Sequence, residues 1–203
     1  MRRSPCCFLA LVFVLPIAAI QGQEGKQAKR PSLADALKLG QPGAEHKKLA
    51  QYAGEWEAIV KMGGGNAARV YSGTAKNRML AGGRFLEIEY QTKGPTESLE
   101  GAFLVGFDGR HQRFALVALD SFGTYFVTSQ GKRNDETGKA RLLGTDDDPQ
   151  MKAMGFTKEF AHVLNFSGDD EFTIEVLLID TRTAERREIK FMEYQFKRKR
   201  AQP

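Results

Sequence analysis

Two acids, Glu100 and Asp120, stand in segments whose other residues are mostly apolar. Catalytic carboxylate pairs need two acids in one pocket with different proton affinities, so these two form the candidate pair for a hydrolase or isomerase. Glu87 and Glu89 share one strand face and read as a polar outer surface. The 3 histidines, His46, His111 and His162, show no i, i+2 or i, i+4 spacing that would bring two imidazoles to one metal ion. The run Asp146-Asp147-Asp148 offers oxygen ligands for calcium. It lacks the alternating ligands and the sixth-position glycine of an EF-hand loop, and reads as a solvated turn. Ser121, Thr128 and Ser129 have no Gly-x-Ser-x-Gly elbow around them. Gly63-Gly64-Gly65 is not followed by Lys-Ser/Thr, so it is a turn and not a phosphate loop. No nucleophile–base constellation and no metal site emerge.

Composition sets the frame for these residues. The chain of 203 residues is 41% apolar and 27% charged, a globular balance. Met1 to Gly22 reads as a signal peptide, with a basic start at Arg2 and Arg3 and the apolar run Phe8–Ile20, broken by Pro16. That run is shorter than the about 20 residues of a membrane span; an uncleaved N-terminal anchor is the competing reading. Cleavage after Gly22 would remove both cysteines, Cys6 and Cys7, and with them disulfides, thiolate catalysis and Cys-ligated zinc. The net charge of +5 would fall by the two arginines lost. Acids and bases alternate along most of the chain, so no basic stripe for nucleic acid exists. The expected place is secreted or periplasmic, with no stable membrane span after cleavage.

Residues 23–43 are polar, carry Pro31 and Pro42, and read as a flexible linker with one weak helical turn near Leu33. The domain spans 44–200. It opens with a short helix over Glu45–Tyr52, for which Gly54 is the expected C-terminal glycine. From Glu55 the period becomes two: Trp56, Ala58, Val60 and Met62 alternate with polar residues. Further strands are expected over 70–79, 85–91, 99–107, 113–120, 124–130, 140–145, 156–166, 172–179 and 188–198. Turn signals separate them, Asp108-Gly109 being the sharpest. About ten strands this closely spaced leave no room for βαβ crossovers, so the sheet is antiparallel and meandering. Ten twisted strands close into a barrel more readily than they stay open.

Several short motifs fall in one order. They are Glu45-His46-Lys47-Lys48-Leu49, Gly54-Glu55-Trp56, Asn77-Arg78-Met79-Leu80, Gly82-Gly83-Arg84-Phe85-Leu86, Glu100-Gly101, Gly106-Phe107-Asp108, Asp120-Ser121, Thr128-Ser129-Gln130-Gly131, Asp147-Asp148-Pro149 and Met192-Glu193-Tyr194 with Arg198. Over residues 44–199 the chain resembles the DUF1579 family of bacterial proteins. The resemblance implies an all-β lipocalin- or calycin-like barrel, its short N-terminal helix plugging one end. Gly54-Glu55-Trp56 resembles the Gly-x-Trp opening of lipocalins, whose indole closes the barrel floor under an arginine from the last strand; Arg198 stands where that arginine would be. Gly54, Trp56 and Arg198 are therefore structural candidates, with Trp56 also a candidate ligand wall. Ten-stranded calycins that hold haem through one strand histidine make His162 the haem candidate, against the preferred reading of no cofactor and a paired strand histidine. Relatives often carry an aromatic where Ala118 stands and an arginine where Lys158 stands, which implies a roomier or differently charged cavity here.

The expected function is an exported binding barrel for a small apolar or amphipathic molecule. Glu100, Asp120, Ser121, Thr128 and Lys158 are the orienting polar groups, with Trp56, Phe103 and Tyr125 as wall. An enzyme using Glu100 and Asp120, and an envelope structural or interaction protein with a filled barrel, are the alternatives. Phe114, Leu116 and Ala118 share a face with Asp120, while Ala115, Val117 and Leu119 make an equally apolar opposite face. The small Ala118 favours Asp120 inside, beside Lys158 or another cation, because an unpaired buried carboxylate is costly.

Overall fold

The alternation that begins at Gly54 continues through ten antiparallel strands, and these close on themselves. The computed structural model describes residues 32–63, 68–154, 157–166, 168–181 and 184–199. The signal-peptide reading of residues 1–22 lies outside them, as does the linker up to residue 31. The strands are β1 (Gly54–Met62), β2 (Arg69–Leu80), β3 (Phe85–Lys93), β4 (Ser98–Asp108), β5 (Arg113–Asp120), β6 (Phe126–Arg133), β7 (Ala140–Asp146), β8 (Lys158–Asn165), β9 (Glu171–Ile179) and β10 (Glu188–Arg198). Each pairs with its sequence neighbours, and β1 pairs with β10 from Trp56↔Arg198 to Met62↔Met192, which seals the barrel. The β6–β7 seam is the shortest, paired only from Gln130↔Leu143 to Arg133↔Ala140, so residues 126–129 of β6 and 144–146 of β7 lie unpaired across it.

Three short helices accompany the barrel among the described residues, where the sequence pointed to one. The expected one is α2 (Ala44–Ala50); α1 (Leu33–Leu39) falls in the segment read as linker, and α3 (Pro149–Ala153) falls between β7 and β8. Asp148 starts α3 by accepting the Gln150 N–H at 2.9 Å, so the acidic run is a helix start and not only a turn. Gly54 does not cap α2; it opens β1 at φ +124°, a conformation that side chains of L-residues rarely adopt.

The inward faces carry a continuous core. Near the α2 end lie Trp56, Phe172 and Phe196, all buried, with Phe172 and Phe196 stacked at 4.5 Å and Trp56 edge-on to Phe172 at 4.9 Å. α2 lays Leu49, followed by Tyr52, over this end, and Glu45 ties it to β6 through two 2.8 Å bonds from Arg133. Leu86, Ile88, Val105, Leu116 and Ile174 extend the same buried core. The expectation that side chains would leave a ten-strand barrel open holds only at the other end. Aromatic and branched residues from all sides meet across the axis in the closed half.

Candidate functional site

Strand direction decides which end is open. β1 leaves the α2 plug and runs upward, so the connections β5–β6 and β7–β8 lie at the far mouth, with α3 in the latter. There the inward side chains shorten or turn polar, and a cleft of about 110 Å3 remains. Phe103 of β4, Ala118 and Asp120 of β5, Lys158, Phe160 and His162 of β8, and Met192 and Tyr194 of β10 line it. Tyr125 of the β5–β6 connection stands at its rim, 58% exposed.

The floor is a pair of phenols. Tyr90 and Tyr194 hydroxyls lie 3.4 Å apart, and Tyr194 also donates to Met192 Sδ at 3.4 Å. Burial raises both phenols, and the nearby Asp120 carboxylate adds to the rise, so both keep their protons at neutral pH. Gly101 makes this floor fit. It pairs with Tyr90 on one side and Asp120 on the other, and a Cβ there would stand 2.4 Å from the Tyr90 hydroxyl and 2.5 Å from the Leu119 carbonyl. Gly101→Ala should therefore destabilise the protein by about 1–3 kcal/mol through overpacking. A urea midpoint equal to that of the wild type would refute this close fit.

On the β8 side, His162 is buried, its Nδ1 is 2.9 Å from Ser129 Oγ, and the ring lies edge-on to Phe160 at 5.4 Å. Burial lowers its pKa to about 4, so it is a neutral imidazole. Lys158 is the cation of the wall. Cross-strand register places it opposite Asp146, whose carboxylate it meets at 2.9 Å, with Asp148 at 3.9 Å and the Tyr125 ring at 5.7 Å. Burial is the largest single influence and works against its charge, but the bond to Asp146 and the charges of Tyr125, Asp146 and Asp148 together outweigh it, and its pKa is raised.

Phe103, Asp120, Tyr125 and Lys158 thus come together at the mouth. Asp120 and Lys158 line one cavity, but Lys158 is paired with Asp146 and not with Asp120; Asp120 Oδ1 accepts the Phe122 N–H at 2.9 Å. Glu100 is corrected to the outer surface: it alternates with the inward Leu99 and Gly101 and is exposed. The interior pair Glu100–Asp120 is therefore not formed. Thr128 is likewise on the outer face, with its neighbour Ser129 turned inward. Ser121 is exposed in the turn after β5, its Oγ accepting the Glu100 N–H at 3.2 Å.

Trp56 lies at the plugged end and is not among the residues that line the cleft, although its strand β1 neighbours β10, which contributes Met192 and Tyr194 to that lining. Its Nε1 donates to Tyr52 O at 3.1 Å, and Arg198 Cζ stands 4.3 Å from the ring centroid. The Arg198 guanidinium also donates to Gln51 O at 2.6 Å and Asp169 O at 2.9 Å, stitching α2 to the β8–β9 turn.

Sequence reasoning passed over Tyr194, Met192 and Phe160 as cleft residues, and Asp146 as the partner of Lys158. Tyr194 shares its face with Met192 and Phe196 along β10, which marks it as inward, but nothing local says that its level in the barrel is the open one. Haem does not fit here. The space beside His162 is about 110 Å3, below the about 300–1,000 Å3 of ordinary ligand pockets, and Nδ1 is engaged by Ser129. Among the described residues no group of three His, Asp or Glu converges on a metal position, and no helix is long and apolar enough to cross a membrane.

Fold and site together define a closed ten-strand antiparallel barrel with one plugged end and a small cleft at the other. Residues 41–198 match the family described as "Protein of unknown function (DUF1579)", and the chain belongs to that family. A comparison with curated proteins found no match. Among solved structures, the chain is similar to the S-type phycobiliprotein lyase CPES from Guillardia theta (10% identity, TM-score 0.49), covering 85% of this chain and 100% of that one. It is also similar to a de novo designed fluorescence-activating β-barrel (14% identity, TM-score 0.41), covering 75% of this chain and 98% of that one.

Proposed function

We propose that the protein is an exported binding barrel for a small, mostly apolar molecule seated at the open mouth. The observation that carries this reading is the cleft itself: rings and methyl-bearing side chains around a few converging polar groups, in an otherwise filled barrel. Its size bounds the occupant. An apolar cavity of about 150 Å3 takes benzene, so a cleft of about 110 Å3 takes a single small ring or a short branched chain, with the remainder of the molecule reaching into the mouth.

Ala118 supplies the test. Ala118→Phe places a ring where the cleft is and should leave the closed half of the core untouched. Benzyl alcohol should raise the Tm of the wild type by mass action and should not raise that of Ala118→Phe. Failure of a series of single-ring compounds to bind the wild type would overturn the binding reading.

Export rests on the sequence of residues 1–22. Protein recovered from its own host should begin near Gln23 and hold no cysteine, as read by N-terminal sequencing and mass. A recovered chain that starts at Met1 with free thiols at Cys6 and Cys7 would reject it.

A further inference from the structure

The charges around the cleft do not balance. Asp120 and Lys158 are the charged side chains among its lining residues, and Lys158 already faces two carboxylates, Asp146 at 2.9 Å and Asp148 at 3.9 Å. Asp120 makes no ion pair among the described residues. Its Oδ1 takes one backbone N–H, and its Oδ2 has no hydrogen-bond partner among them. The other polar groups cannot compensate: His162 is neutral and bonded to Ser129, and Tyr90 and Tyr194 are protonated phenols already facing one another. Among the described residues that line the cleft and their ion-pair partners, three carboxylates face one ammonium. A carboxylate beside apolar walls gains from a ligand that brings its own positive charge, since the ion pair then carries a charge-assisted hydrogen bond. The rings of Phe103, Phe160, Phe191 and Tyr194 border the same space, and aromatic rings attract a desolvated ammonium by a further increment.

We infer that the cleft selects a small apolar amine, whose ammonium is anchored by the Asp120 carboxylate while its ring or chain occupies the space beside Ala118. The inference rests on the binding reading above and adds the charge of the ligand to it. An anion is disfavoured, because it would have to displace Asp146 from Lys158 and approach Asp120.

Three probes of one shape separate the cases: benzylamine, benzyl alcohol and benzoate, titrated at pH 7 into the full chain and followed by calorimetry or ligand-observed NMR. Benzylamine should bind at least tenfold more tightly than benzyl alcohol, and benzoate most weakly. Asp120→Asn retains an Oδ1 acceptor for the Phe122 N–H, so the turn should persist. It should cost benzylamine its tenfold advantage over benzyl alcohol. Ala118→Phe should block all three. Equal binding of amine and alcohol, or an amine advantage that survives Asp120→Asn, overturns the inference and leaves the binding reading standing. Tightest binding by benzoate also overturns it, and assigns the anchor to Lys158. Binding by none of the three overturns both.

Discussion

Replacing Trp56 with alanine is expected to lower the free energy of unfolding by about 3–5 kcal/mol, the range for a large aromatic removed from a packed core. The indole has no solvent exposure. Phe172 packs edge-on to it at 4.9 Å, Tyr52 stacks at 6.2 Å, and neither can follow it into the void without leaving its own partners. Its N–H also answers the Tyr52 carbonyl, which Asn77 Nδ2 then holds alone at 2.9 Å. Arg198→Ala is expected to cost less, because its hydrogen bonds go to carbonyls that water can reach. The stacking of the guanidinium on the indole is worth roughly 0.5–2 kcal/mol, and this is the coupling that the double mutant should reveal. Trp56 is the single tryptophan, so its emission should also shift in Arg198→Ala. Urea unfolding of the two single variants and the double variant decides the matter. Additive losses would dismiss the coupling, and a Trp56→Ala loss below about 1 kcal/mol would dismiss the plug.

Acid should weaken the barrel through His162. Burial holds the folded-state pKa at about 4, against about 6.5 in an unfolded chain. Between those values the unfolded state binds a proton that the folded state refuses, so stability rises with pH across that window. It is fully present above about pH 6.5 and falls as the pH drops to about 4, by up to roughly 3 kcal/mol, and the His162 contribution changes little below that. The expected measurement is the urea midpoint at pH 7 and pH 4 for the wild type and for His162→Gln. Glutamine retains a polar group near Ser129 and does not titrate. The variant should be less stable at pH 7 and should lose less than the wild type on acidification. An equal loss in both proteins would place the acid sensitivity in the carboxylates instead.

Trp56 and Arg198 were legible in the chain because a Gly-x-Trp opening and an arginine at the end of the last strand are local patterns. Asp120 and Lys158 were legible only as residue types: a carboxylate at the end of an apolar strand, and a cation where relatives carry another. Their partners were not. Asp146 meets Lys158 because the β7–β8 register sets them opposite one another, across a connection that includes a helix the acidic run did not announce. Glu100 and Thr128 went to the wrong face for a plainer reason. Their strands carry apolar residues on both faces, so the alternation gives two parities and no preference.

By itself the sequence determined a meander of ten short strands, antiparallel because its connections are too short for crossovers, and closed because so many twisted strands bury their edges best on each other. Tertiary structure alone decided how much of the interior stays open. Core volume depends on which side chains from non-neighbouring strands meet at the same height along the axis, and that height is set by register and strand tilt, which no local pattern encodes. Phe172, Phe196 and Trp56 meet near α2 and close one end, while Ala118 and Gly101 fall near the mouth and leave the cleft.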